Sequence, residues 1–258
     1  MRRPVLRVWA VAAVLAFLFA GCTRAPRPLR PATATDLLDG LAARRTAVSS
    51  LRARARLRAG LSGLWVREVV LVRRPDGVRI DVLSPFGLAL ALGVHGPLVW
   101  AYPPSQSTRY EGPATPENLR RFLGAPVAVD DIVDVLLGVP PARSPVDTPE
   151  LSATKEGGYR LTVPLARGTQ TIWFAGDTLL VERAEEANDD GVALAVAFAD
   201  YRDGFPHQVD VAAPGGAAAQ LTYDAVELNA AMDPVVFVAP PAPRVLPLDA
   251  VPADVGRP

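Results

Sequence analysis

Two periods alternate along this chain. In TDLLDGLAARRTAV, residues 35–48, Leu37, Leu38, Leu41 and Ala42 fall on one side of a helix, with Thr35 placed to cap it. From residue 50 the period drops to two. SLRARARLRAG sends Arg52, Arg54, Arg56 and Arg58 one way and Leu51, Ala53, Ala55, Leu57 and Ala59 the other, which predicts a half-buried strand. Further strands are predicted at 64–73 and 78–84, joined by the turn Pro75-Asp76-Gly77, and at 88–95 and 97–102. A later block repeats the pattern at 159–165, 169–175, 178–186, 191–201, 206–212 and 218–229, punctuated by glycine turns such as Asp190-Gly191 and Asp203-Gly204. Short strands at regular spacing predict one large antiparallel sheet and a mainly β fold.

Between the two blocks lies a helical insert. Thr115-Pro116-Glu117 opens a helix with Leu119, Phe122 and Leu123 on one face, ended by Gly124. Asp130 and Asp131 open a second helix, carrying Ile132, Val133, Val135, Leu136 and Leu137 up to Gly138. Its nearly continuous apolar surface has to be covered.

Two strands lack a polar face. LALALGVH, residues 88–95, sets Ala89 and Ala91 against a row of leucines, and VALAVAFA, residues 192–199, sets Ala193, Ala195 and Ala197 against Leu194, Val196 and Phe198. Such strands are buried on both sides. Above the alanines there is room that must be filled, because voids are costly. Either the helices fill it, or they fill it in part and leave an apolar groove for acyl chains, lined by Ala89, Ala91, Ala193, Ala195 and Ala197 with Ile132 and Leu136 of the insert.

The N-terminus adds a location. Arg2, Arg3 and Arg7 precede an uncharged run from Val8 to Ala20, and Ala20-Gly21 precedes Cys22, the single cysteine of the chain. As a helix that run spans about 20 Å, short of the roughly 30 Å hydrocarbon core, and it reads as a signal peptide over residues 1–21. The junction resembles the lipobox of bacterial lipoproteins, in which the thiol takes a diacylglycerol and the freed amine is acylated. Residues 22–34 then form a lipidated, proline-rich tether. Two or more acyl chains hold a protein stably at a membrane. No cofactor is expected beyond this covalent lipid on Cys22, and a lone cysteine rules out an intrachain disulfide. Residues 239–258, APPAPRVLPLDAVPADVGRP, read as a tail too rich in proline to pack. One domain, 35–238, lies between.

Charge is uneven. Residues 24–79 hold 13 arginines against four acids, while residues 80–258 hold 11 basic against 23 acidic residues. The basic portion suits anionic head groups or an acidic partner, or it is a set of solvated strand faces. Nothing in its pattern suggests nucleic acid as a partner. Nothing suggests an enzyme either. His95 and His207 lack metal-ligand spacing, no nucleophile elbow, phosphate loop or dinucleotide fingerprint occurs, and the pairs Asp130-Asp131 and Asp189-Asp190 sit at a helix start and in a turn.

VRIDVLSPFGLALALGV followed by NLRRFLGAPVAVDDIVDVLLGVPPA resembles the outer-membrane lipoprotein receptor LolB and its relatives. The shared pattern is a strand ending in proline, an apolar residue and glycine, then a helix closing on Leu-Gly, a Pro-Val, and a second helix ending in Leu-Gly-x-Pro. The segment DYRDGFPHQVDV through DPVVFVAP is similar to the end of the wider LolA/LolB-like superfamily. The resemblance implies a curved, incomplete antiparallel barrel closed by a few helices, which receives lipoprotein acyl chains from a LolA-like carrier and helps insert that cargo into the outer membrane. Phe86 occupies the place of the apolar tip that delivers cargo into the membrane. Thr23 fits outer-membrane location, since aspartate at that position commonly marks inner-membrane retention. The acidic second half and the tail depart from the family, and they leave open a non-catalytic half-barrel acting as a scaffold in an envelope assembly.

Overall fold

In the computed structural model, which describes residues 29–59, 65–213 and 217–250, fourteen strands join into one curved, open sheet. Its first meander runs β1 (Ser50–Ala59), β2 (Trp65–Arg73), β3 (Gly77–Ser84), β4 (Gly87–His95), β5 (Leu98–Tyr102) and β6 (Thr108–Pro113). The second runs β7 (Glu150–Ala153), β8 (Gly158–Pro164), β9 (Thr169–Ala175), β10 (Val181–Asn188), β11 (Gly191–Arg202), β12 (Phe205–Ala213) and β13 (Ala217–Leu228). The last strand of the second meander pairs antiparallel with the first strand of the first, Leu51 opposite Leu228, and this seam makes one sheet of two. With β14 (Arg244–Pro247) added, the spatial order is β14-β6-β5-β4-β3-β2-β1-β13-β12-β11-β10-β9-β8-β7, so the sheet ends at two edges and does not close.

Three helices cover one face. Helix α1 (Ala34–Ala47) is capped by Thr33, where Thr35 was expected. Thr33 Oγ1 accepts from the Asp36 amide at 3.2 Å while the Asp36 carboxylate accepts from the Thr33 amide at 2.8 Å. This reciprocal capping box needs an acid at the third helical position, and only a start at Ala34 puts Asp36 there. Helices α2 (Pro116–Leu123) and α3 (Val129–Leu136) begin and end close to the predicted positions, with Gly124 and Gly138 both at positive φ. Leu37 of α1, Leu119 of α2 and Val133, Val135 and Leu136 of α3 share one core with Leu51, Val70, Val78, Leu90, Ile172, Val196 and Phe198 of the strands.

Both domain boundaries move outward. The Arg30 amide donates to the Gly176 carbonyl at 2.7 Å and the Tyr159 hydroxyl to the Arg30 carbonyl at 2.8 Å, so the end of the expected tether packs. At the other terminus the expected tail packs as well, as a belt across the outer face. Just ahead of the tail, at the end of the expected domain, Phe237 is completely buried, and its carbonyl accepts from the Trp100 indole at 3.0 Å. Arg109 donates to the Pro240 carbonyl at 2.8 Å, and β14 (Arg244–Pro247) pairs parallel with β6. Proline is tolerated there because an edge strand leaves one row of amides unpaired. Composition alone missed this, since carbonyls of a proline-rich segment still accept hydrogen bonds.

The belt also explains Gly93. A Cβ there would lie 2.3 Å from the Trp100 ring. Gly93→Ala is therefore expected to destabilise by about 1–3 kcal/mol through overpacking, read as a lower urea midpoint.

Candidate functional site

One end of the sheet carries the turn Ser84-Pro85-Phe86-Gly87. The Ser84 hydroxyl donates to the Gly87 carbonyl at 3.0 Å and accepts from the Phe86 amide at 3.2 Å. Gly87 takes φ +118, a region closed to most side chains, while Pro85 fixes the approach. The backbone is thus held on both sides of Phe86, whose side chain is 100% exposed. The sequence sets Phe86 on a turn between proline and glycine, and in the structure its ring is exposed on that turn.

The helix-covered face holds a pocket of about 190 Å³ between α1 and the segment 139–143, floored by Val163 and Ile172 and walled by Leu38, Leu41 and Pro141. Two arginines at its rim are engaged by acids. Arg143 grips Asp131 of α3 with two bonds of 2.7 and 2.8 Å and reaches Glu186 of β10 at 2.7 Å; these carboxylates keep its guanidinium firmly charged. Arg45 of α1 meets Asp134 at 2.5 Å. Asp134 is fully buried and also receives Arg74 at 2.6 Å and the Ala142 amide at 3.1 Å. This carboxylate therefore ties α1, α3, the β2–β3 turn and the pocket wall together.

Glu68 lies on the same face. Its neighbours across the strands run Tyr223, Ala55, Glu68, Val82, Leu90, an apolar row interrupted by one acid. Glu68 is 4% exposed and makes no hydrogen bond or ion pair among the described residues; burial pushes its carboxyl up to about 7. The Tyr223 hydroxyl donates to the Leu136 carbonyl at 2.9 Å, and burial first, then the Glu68 charge, push its pKa up and hold it protonated. The signal for Glu68 was readable: in WVREVVLVR it is the acid in the phase of the core valines.

The remaining sequence candidates are not brought together. Ile132 and Leu136 pack on the helix-covered face, with Leu194, Val196 and Phe198. The alanines of the same strands point the opposite way. Ala91 is buried on the outer face, Ala89 is exposed at a bulge, and Ala193, Ala195 and Ala197 are half-buried. The expected groove combining these alanines with Ile132 and Leu136 does not exist, because the sheet stands between its two walls. Bulky residues take the face that the helices cover, where burial returns most, and small ones take the other. Ala195 and Ala197 do line a shallow depression of about 390 Å³, but on the outer face, with Ala212, Ala218, Arg58 and Arg183. Cys22 lies outside the described residues.

No protein-family model matches the chain, and no curated protein is similar to it in sequence. Among solved structures, a LolA superfamily protein from Nitrosomonas europaea superposes with a TM-score of 0.53 at 14% identity, covering 81% of this chain and 99% of that one. A DUF1329 family protein from Desulfovibrio piger gives a TM-score of 0.54 at 16% identity over 80% of this chain and 95% of that one. At such identities the likeness is one of architecture, and the open antiparallel sheet folded over its helices is the fold of LolA-superfamily proteins.

Proposed function

We propose that this protein is a lipid-anchored receptor at the periplasmic side of the outer membrane. It takes acyl chains of lipoproteins from a soluble LolA-like carrier and helps insert them into the membrane, and it works as a binding protein rather than an enzyme. The observation that carries the reading is Phe86, a fully exposed aromatic ring on a turn held by its own hydrogen bonds. An aromatic ring fixed in water at the end of a sheet is suited to a lipid interface. The apolar pocket beneath α1 supports chain binding, with Leu38, Leu41, Val163 and Ile172 presenting the surface an acyl chain would cover. The anchor at Cys22 would keep the domain at the membrane.

A second reading, a non-transporting scaffold, is favoured by the close filling of the helix-covered face, where Val133 and Leu137 are each 1% exposed. Transfer separates the two. Carrier loaded with labelled lipoprotein, mixed with this protein and acceptor vesicles, is expected to lose its label to the vesicles; no transfer where a known receptor works supports the scaffold.

Phe86→Glu refines the test. The ring contributes nothing to the core, so the unfolding free energy is expected to stay within about 0.5 kcal/mol of wild type. Insertion of label into vesicles is expected to fail while capture from the carrier persists. A lowered melting midpoint, or normal insertion, counts against a delivery tip.

A further inference from the structure

The outer face next to the Phe86 turn carries a row of positive charge with incomplete neutralisation. Along β1, Arg52 is paired with Glu227 at 3.1 Å and Arg56 with Asp224 at 3.0 Å. Arg54 and Arg58, and Arg67 on β2, make no ion pair or hydrogen bond among the described residues, and all three are exposed. Arg56 and Arg67 stand directly opposite one another, an arrangement of like charges that destabilises a sheet. The next pair on this face toward the turn is Arg58 with Trp65. Trp65 is 44% exposed, and the Arg56 guanidinium lies 5.5 Å from the centre of its ring. On the far side, Arg67 pairs with Leu83 and Leu83 with Leu88, and neither leucine joins the core. Since Leu83 is level with Arg67, Trp65 is level with Pro85, one residue short of Phe86.

We propose that this patch, Arg54, Arg58 and Arg67 with Trp65, Leu88 and Phe86, docks the domain onto an anionic lipid bilayer. The proposal rests on the reading of Phe86 as membrane-facing and adds to it a headgroup site. Three features select a lipid surface. Unpaired guanidiniums on exposed strands match phosphate oxygens, which they bind in bidentate fashion. Tryptophan and phenylalanine beside them belong at headgroup depth. Arg67 stands opposite Arg56, whose charge Asp224 already meets, so the Arg67 charge is left for an anionic surface. An acidic protein would satisfy the arginines but would leave a fully exposed Phe86 without a role.

The test uses full-length protein carrying Cys22→Ser throughout, so that no acyl chain on that thiol contributes. Sedimentation with phosphatidylcholine vesicles, with and without phosphatidylglycerol, is expected to show tighter binding to the anionic ones, weakened by salt. Each arginine near such a surface is worth about fivefold in affinity, so the combined variant Arg54→Gln, Arg58→Gln, Arg67→Gln is expected to bind anionic vesicles roughly a hundredfold more weakly. A second variant removes the same charge at the opposite end of the sheet, by Lys155→Gln, Arg160→Gln and Arg202→Gln, and is expected to bind as the parent does. Equal binding by the two variants would overturn the proposal, as would indifference to phosphatidylglycerol, or loss of an acidic protein partner with vesicle binding intact. The vesicles carry no cargo. Docking can therefore fail while carrier-to-vesicle transfer succeeds, and transfer can fail while docking stands.

Discussion

Asp134→Asn is expected to lower the unfolding free energy by about 3 kcal/mol, measured in urea at neutral pH. Asp134 is fully buried, and its two oxygens serve Arg45, Arg74 and the Ala142 amide. Removing one partner of a buried ion pair costs roughly 3–5 kcal/mol, because the opposite charge is left without compensation. The arginine side chains retain 33% and 20% of their accessibility, so water recovers part of that loss and the lower end applies. An amide in the same place also directs donors at donors. Asp130→Asn, one turn earlier and exposed, is the control and is expected to stay within about 0.5 kcal/mol of wild type. A difference below 1 kcal/mol at Asp134 would mean that the carboxylate is not what holds α1 and α3 to the sheet. Such clusters often position elements more than they stabilise them, since an apolar replacement of the whole set can be close to neutral. Exchanging Asp134, Arg45 and Arg74 together for apolar residues is therefore expected to cost less than Asp134→Asn alone.

The alternation of arginine with leucine and alanine in β1 made that strand legible in sequence, because a period of two cannot be satisfied by a helix. The same argument reached most of both meanders and the helical insert. It failed at β6, β7 and β14. Glu150-Leu151-Ser152-Ala153 and Arg244-Val245-Leu246-Pro247 are four residues each at the two edges of the sheet, with too few positions to show a period. For the candidate site the position of Phe86 was legible, because proline and glycine on either side dictate a turn. Which face of the alanine strands would meet the helices was not. Alternation tells that two faces differ and is silent on which one is covered. That choice is made by distant residues: Phe237 and Trp100 pack on the outer face, some 140 residues apart in the chain. Glu68 stands in the phase of the core valines of β2, and Asp134 among the apolar residues of α3. A charge in such a place is itself the signal.

Glu68→Met is expected to stabilise the protein at pH 8 by about 3 kcal/mol and to do so far less at pH 5. The carboxyl titrates near 7 in the folded protein against an ordinary 4.5, because burial disfavours its charge. Between those values the folded chain holds a proton that the unfolded chain has released. Unfolding then gives up a proton, and stability falls as pH rises from about 4.5 toward 7, after which the loss is complete. A shift of this size corresponds to about 3 kcal/mol at 1.36 kcal/mol per unit. Methionine has nearly the same volume, cannot ionise, and adapts to the row of Ala55, Val82 and Leu90, so its stability carries no such slope. Urea unfolding of both proteins at the two pH values checks the claim. The gap is expected to open as pH rises. A gap of equal size at both values would show that Glu68 is solvated or paired in solution, and one that closes as pH rises would show that its ionised form is the stabilised one.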